Sequence, residues 1–553
     1  MSQQRQKNRM RLYLAAFSAN LSFTSCGCAM AWTSPVLDTI DKSLGVEVSA
    51  TSRSWIGSLI AVGAICGPLF ASKLLDTVGR KWTLILDVML LIVSWVIVGL
   101  PALRLTFVDP LSLLYFGRFL SGVAVGIIFM SLPVYIAEIS DVESRGPLGS
   151  LNELFIAFGF FCEYVFGSFT TYLQLSMVST VIPLLFLLTF YWMPESPHFL
   201  IMHGRRREAL AAIKWLNSYQ DDDKALIEKE AQDIQALLDD HSGPSHPCQD
   251  LFVVKGNRRA LLISCGLIFA QQFTGINVVQ FYTQSILENS NKTEQASGLP
   301  TGVAPMLVGG TQFLSSLLTP IATRLWGIKI PLLLSALGAA VGQGALGTYF
   351  VLSSKEPGSV PFELIPVFSM VFFMASFCIG LGPLPWAVMG EMFPPNVKAL
   401  SSSFVSSFCF LLTFILTFFF KLVSDEFGRH TPIFFFAFCC FFGLIFIALT
   451  IPDTRGMTLQ EIQDVLNGRT HRMQSPAVRR VTQTGSMIQI IMRSGLLVEQ
   501  GDHNTITKNL LATATEEEEQ HPMIPMITDN KHELPAKHTA IYNSKAYREA
   551  TKV

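Results

Sequence analysis

The 553-residue chain is half hydrophobic, only 15% charged, and carries 43 phenylalanines with a mean hydropathy of +0.43. Soluble domains run near 25% charged residues, so this composition indicates a polytopic membrane protein. A net charge of −1 argues against a nucleic-acid partner. The ten cysteines are scattered through apolar runs, so they form neither a disulfide framework nor a metal-ligand pattern.

In chain order, a basic start (1–11, "MSQQRQKNRMR") precedes apolar runs at 12–34, 55–75, 83–101, 111–133, 148–170 and 174–193. Each is long enough to cross ~30 Å of hydrocarbon. With no small-residue cleavage site after it, the first run reads as a retained span. A polar segment, 194–258, follows; its amphipathic stretches at 205–217 and 225–240 predict short helices bridging two halves. Six more runs lie at 259–285, 303–326, 330–352, 361–390, 399–423 and 431–451. The tail, 452–553, lacks apolar periodicity, and disorder is its default expectation. Thr482 in "RRVTQTGS" is a conceivable phosphorylation site within it. The expected fold is an all-α membrane protein of twelve transmembrane helices, split as an N-terminal half (12–193) and a C-terminal half (259–451).

Charge sets the expected orientation. Arg5, Lys7, Arg9, Arg11, Lys73, Arg80, Lys81 and the cations of the central segment fall on one side, which the positive-inside rule places in the cytoplasm with both termini. "NKT" at Asn291 is a glycosylation sequon on the opposite side. The halves also repeat. "DTVGRK" (76–81) matches "RLWGIK" (324–329), "EISDVESR" (138–145) matches "EMFPPNVK" (391–398), and "PESP" (194–197) matches "PDTR" (452–455). The offsets are 248, 253 and 258 residues. Two repeated six-helix halves are a transporter architecture, with the substrate site at their interface near the midplane.

These motifs, with "GRFLSGVAVG" (117–126), "QQFTGIN" (271–277), "GPLPWAVMGEMFP" (382–394) and "PDTRGMTLQEIQ" (452–463), resemble the sugar porter branch of the major facilitator superfamily. Within it, the resemblance is to facilitated glucose and arthropod trehalose transporters. It implies a neutral-sugar uniporter of the plasma membrane that works by alternating access, with no cofactor, metal or covalent chemistry. Its partners are the sugar and the bilayer; oligomeric state is not legible.

Three amides within seven residues are costly in hydrocarbon unless satisfied. Gln271, Gln272 and Asn277 can pair adjacent sugar hydroxyls bidentately, with Gly275 breaking the helix; equally, they can bond neighbouring helices. The resemblance favours the sugar. It also implies that Trp386 stacks on the sugar, an interfacial anchor being the alternative, that Gln312 faces it, and that Tyr282 belongs to an outer gate, with Phe281 beside it open to core packing. Gly382, Pro383 and Pro385 predict a bend in the tenth span.

Departures from the family bear on specificity. Glu153 stands where vertebrate glucose facilitators carry a sugar-binding glutamine, and Glu163 is a second acid ten residues on. An intramembrane carboxyl is a functional candidate, so both are expected near the cavity, binding hydroxyls or coupling a proton. Against coupling, "SFTSCGCAMAWTSP" (22–35) lacks the first-span aspartate of the resembled symporters. Cys378 replaces a tenth-span glutamate, Cys409–Phe410 replace an Asn–Trp pair, and His198 replaces an arginine.

Asp76, Arg80, Arg118, Glu138 and Arg145, mirrored by Glu391 and Lys398, are expected at the cytoplasmic ends as a gating charge network. Each exposed pair is worth about 0–1 kcal/mol, enough to bias two near-balanced states. The C-half copy is degraded by Arg324 and Ile328, leaving Glu391 to pair Lys329 or Arg324. Competing readings are a proton-coupled symporter using Glu153 or Glu163, and a non-transporting sugar sensor signalling through the tail.

Overall fold

The computed structural model describes residues 9–451 apart from 38, 105–108, 142–143, 241–246, 289–302 and 356–363. All described residues belong to one compact unit and, among them, regular structure is entirely helical. The expectations for Asn291, for "PDTR" and for Thr482 and the rest of the tail lie outside the described residues, as does the side chain of Arg145.

Eleven helices are long and apolar enough to cross a membrane. Spans one to six are Met10–Val36, Ala50–Val78, Arg80–Leu103, Pro110–Ile139, Pro147–Gly167 and Tyr172–Phe190. Span seven is Lys255–Gln284, and spans nine to twelve are Lys329–Ser353, Ile365–Met392, Val397–Phe427 and His430–Thr450. The eighth place is filled by two shorter helices, Val303–Ser316 and Thr319–Trp326, broken just before Pro320, whose ring cannot continue the first. Four short helices connect the halves: Pro197–Met202, Arg206–Leu216, Lys224–Asp240 and Pro247–Val253. The middle two were expected; the outer two carry no strong amphipathic pattern.

Local chemistry fixes the ends. Ser49 caps span two by accepting from the Ser52 amide at 3.2 Å, and Asp109 caps span four by accepting from that of Ser112 at 2.9 Å. Gly79 and Gly327, 248 residues apart, make the turns after spans two and eight with φ of 103° and 76°, where any other residue is strained. The repeat is thus written in backbone geometry as well as sequence.

Helix neighbours repeat too. Spans one and five pack together, as do seven and eleven; two with four matches eight with ten, and three with six matches nine with twelve. The halves meet chiefly where span two packs on span eleven and span five on span eight, two contacts exchanged by the pseudo-two-fold. Small residues allow the closest approaches. A Cβ on Gly122 would collide with the Ile60 carbonyl, and one on Gly159 with that of Thr24, the close backbone packing typical of membrane helices.

Candidate functional site

The end of the bundle bearing the connecting helices is the linker end; the opposite one is the far end. Between them, spans seven and ten break. In span seven the helix stops at Gln272 and restarts at Ile276, with Gly275 at φ 81°. The Thr274 carbonyl freed by this break accepts from Gln343 Nε2 of span nine at 2.8 Å. Span ten breaks over Gly380–Pro383. There the Leu381 amide donates to Ser335 Oγ (2.9 Å), the Thr319 hydroxyl donates to the Cys378 carbonyl (2.7 Å), and Gln271 Nε2 donates to the carbonyls of Leu381 and Gly382 (both 2.7 Å). Irregular backbone survives at membrane depth only when its polar groups are paired in this way.

Gln271 therefore spends its amide hydrogens on span ten, while its Oε1 is buried with no partner. Gln272 and Asn277 form a second cluster with span eleven. Gln272 Nε2 donates to Cys409 Sγ at 3.0 Å; Asn277 Nδ2 donates to Gln272 Oε1 and, at 3.1 Å, to Thr413 Oγ1. In this state the amides bond neighbouring helices, and Gln271 also keeps an open acceptor. Gln312 is buried on span eight, its Oε1 likewise unpartnered.

Opposite this region stands the first half. Glu153, half-buried on span five, faces the break of span ten: its Oε1 lies 3.5 Å from where a Cβ on Gly382 would sit. Glu153 and Gln271 are thus brought to the same two-residue stretch of backbone from opposite halves. Toward the linker end, Phe129 gathers rings from four spans. Its centroid is 5.0 Å from Phe23, 5.4 Å from Phe410 and 6.2 Å from Trp386. Trp386 is half-buried at the interface of the halves, facing this cluster rather than an outer surface. Phe281, fully buried, lines a narrow cleft between the halves with Met30, Ile60, Phe410 and Thr413.

The far end is sealed across the halves. Tyr164 Oη donates to the Gln280 carbonyl (2.7 Å), the Gln284 amide donates to Ser34 Oγ (3.2 Å), and Trp55 packs its ring 4.9 Å from Phe418. Tyr282 sits here, at a kink with φ −124° and ψ 16°. Its hydroxyl donates to the Thr417 carbonyl at 3.2 Å and presses on Gly57 of span two. The position fits a gate.

Two expectations are corrected. Arg118 is not at the linker end. It lies two turns from the far end of span four, where its guanidinium donates to the Ala29 carbonyl (2.7 Å) and Thr33 Oγ1 (2.9 Å) and stacks over Trp32. Direction explains the difference, since span four runs from far end to linker end and residue 118 comes early in it. Glu163 does not reach the interface either. It is buried inside the first half, accepting from Ser179 Oγ of span six at 2.8 Å. A third membrane acid, Asp87, is buried on span three with Oδ2 unpartnered and was missed, because a lone aspartate in "LILDVML" belongs to no motif.

At the linker end of the first half the charge network is compact. Arg80 donates through Nε and Nη2 to Glu138 Oε1 (3.1 and 2.9 Å) and through Nη1 to the Leu75 carbonyl. Asp76, largely exposed, is 3.9 Å from Arg80 and contributes little. The stronger second acid is Glu195 of "PESP", whose Oε1 accepts from the backbone amides of Arg80 and Lys81, both at 3.0 Å. Burial pushes the Glu195 carboxyl above its ordinary range, and these amides pull the other way. Ser196 Oγ donates to Glu138 and closes the ring. In the second half Glu391 and Lys398 are exposed, and Lys329 donates to the Ala448 carbonyl at 2.9 Å rather than to Glu391. That copy of the network is the looser one.

The family model described as "Sugar (and other) transporter" matches residues 13–466. The chain belongs to this family. Its members are carriers, and the chain is a multi-pass sugar transporter of the major facilitator fold, not an enzyme. Similar curated proteins include the facilitated trehalose transporter Tret1 of Anopheles gambiae, 30% identical over 84% of this chain and 57% of that protein. The chain thus spans little more than half of that relative. The Culex quinquefasciatus Tret1 is 29% identical over 84% of this chain and 87% of its own length. Among solved structures, the inward-open xylose transporter XylE from E. coli superimposes with a TM-score of 0.68 at 21% identity, covering 82% of this chain and 99% of that one. XylE bound to 6-bromo-6-deoxy-D-glucose gives 0.67 at 22% identity, covering 83% and 100%. These likenesses establish the fold.

Proposed function

We propose that the chain is a facilitative carrier of a neutral sugar, trehalose or glucose, across the plasma membrane by alternating access, with the linker end and both termini in the cytoplasm. The observation that carries this reading is the convergence on the span-ten break. Gln271 offers an unpaired buried acceptor there, and Glu153 offers another from the opposite half with no hydrogen-bond partner among the described residues. Acceptors beside a donor-rich amide cluster suit hydroxyls, and hydroxyl groups are what a neutral sugar presents. The aromatic cluster of Phe129, Phe410 and Trp386 supports it by supplying an apolar face across the same path. The trehalose relatives support this substrate class.

On this reading the sealed far end is the closed extracellular side. Opening it separates Tyr282 from Gly57 and Gln284 from Ser34; closing the cytoplasmic side engages the Arg80–Glu138–Glu195 ring and its looser counterpart. Glu163 sits inside the first half, and span one has no acid, so neither is placed to couple a proton. A second reading, proton symport, rests on Glu153 alone, since it is the acid at the interface of the halves.

Uptake of labelled trehalose and glucose, at acid and neutral external pH with and without a protonophore, tests both. Saturable uptake indifferent to the protonophore is expected for wild type and retained in Glu153→Gln. Collapse with the proton gradient overturns uniport and assigns coupling to Glu153 if Glu153→Gln abolishes it. No uptake of either sugar from a surface-expressed chain overturns the substrate class.

A further inference from the structure

At the far end of the second half a cavity of about 20 Å³ lies between the kinked end of span seven, span eleven and the start of span twelve. Tyr282, Ile286, Phe420 and Ile433 form its apolar wall, and Lys421, Ser424 and Arg429 supply its polar groups. No acidic side chain lines it. Asp425 touches its margin only through Lys421, 3.2 Å away, and is itself half exposed. The Ser424 hydroxyl is more than nine-tenths buried and has no hydrogen-bond partner among the described residues. An unpaired buried hydroxyl is costly, so one pointing at two cations marks a place for an acceptor.

We propose that this cavity binds a small inorganic anion, with chloride of the external medium as its occupant. Three donors converge on it: the Lys421 ammonium, the Arg429 guanidinium and the Ser424 hydroxyl. Its volume admits one particle of about the size of a water molecule or halide, cavities of roughly 10–15 Å³ being the minimum for a water. Partial burial strengthens the attraction relative to an open surface. A water alone would satisfy Ser424 and leave the two positive charges uncompensated by the wall.

The site bears on transport through Tyr282. One side of its ring, 5.5 Å from Phe420, forms the cavity wall, while its hydroxyl reaches Thr417 and Gly57 at the seal between the halves. An anion seated behind the ring braces it in the sealed position. This last step, and the placing of the cavity outside the cell, rest on the carrier reading; the binding itself does not.

The test uses purified full-length chain, with thermal unfolding followed in sodium chloride and in sodium gluconate at equal ionic strength. Gluconate is too large for the cavity. A ligand bound only by the folded state raises the midpoint with its concentration, so a saturable rise in chloride over gluconate is expected for wild type. Its loss is expected in Ser424→Ala and in Lys421→Gln. Equal midpoints in the two salts, or a chloride effect that survives both substitutions, overturn the site and leave a water as its occupant. Uptake with external chloride replaced by gluconate gives the second readout. A change in initial rate in wild type, absent in both variants, supports the bracing of Tyr282; an unchanged rate beside chloride-dependent stability overturns the bracing and keeps the site. Absence of any sugar uptake counts against the carrier reading, while the unfolding measurement still decides the site.

Discussion

Gln271 divides its side chain between two tasks, and one substitution separates them. Gln271→Ala removes two hydrogen bonds, each 2.7 Å, to the carbonyls of Leu381 and Gly382. At about 1 kcal/mol net per bond, the lost pairing is worth ~2 kcal/mol, and more if the two carbonyls stay dry. Part of that cost is avoided if water enters the break. The same substitution removes the unpaired Oε1, which on the proposed reading accepts one sugar hydroxyl. A neutral hydrogen bond of about 1 kcal/mol corresponds to roughly a five-fold change in affinity, since 1.4 kcal/mol is ten-fold. The expected result is a lowered unfolding midpoint together with a KM for uptake raised about five-fold. Surface-normalised initial rates over a range of sugar concentrations, beside thermal unfolding of purified protein, read the two effects separately. A lowered midpoint with unchanged KM would show that Gln271 only holds span ten, and would refute its role as a sugar acceptor.

Gln343 is the contrasting amide. Gln343→Leu orphans the Thr274 carbonyl at a cost of about 1–3 kcal/mol, so the unfolding midpoint falls while KM stays within two-fold, a pattern checked by the same pair of assays. Gly79→Ala places a Cβ against the Glu195 carboxylate at a φ of 103°; the maximal rate of uptake at fixed surface expression is expected to fall several-fold with KM little changed, because the damage is to the latch and not the site. For pH, burial holds the Glu195 proton to a higher pH in the folded chain than in the unfolded one. Its contribution to stability therefore grows as pH falls from the folded value to the ordinary carboxyl value, and vanishes above the folded value. Glu195→Gln is expected to flatten that part of the profile of unfolding midpoint against pH.

Much of this architecture was legible because bilayer thickness and the cost of unpaired backbone leave a sequence few options. The spans, the two helix breaks at Gly275 and Gly382, and the repeat could be read from apolar runs, glycine–proline punctuation and motif offsets. Direction along a span was less secure. Arg118 was grouped with the linker-end charges because its motif resembles theirs in composition, yet its distance from the start of span four places it at the far end. Side-chain facing was not legible where helices are apolar all round. Glu153 and Glu163 differ by ten residues on one helix, and only packing shows that the first meets span ten while the second is enclosed by span six. Gln343, Thr413 and Ser335, which hold the amide segments in place, sit in runs with no distinguishing pattern; the signal for them was the unpaired backbone that each break had to leave behind.

That accounting also connects site to mechanism. The break of span ten is held from span seven by Gln271, from span eight by Thr319 and from span nine by Ser335, and it is approached from the first half by Glu153. On the proposed reading, a sugar hydroxyl that bonds Glu153 and the Gln271 oxygen bridges the halves at the point where the backbone has no helical hydrogen bonds to lose. Binding there therefore changes the relation of the halves more readily than it disturbs either half. The neighbouring cluster of Gln272, Asn277 and Thr413 links spans seven and eleven in the same way. Span eleven packs on span two of the first half, so an altered amide pairing is carried directly to an interface that must slide when the carrier changes state.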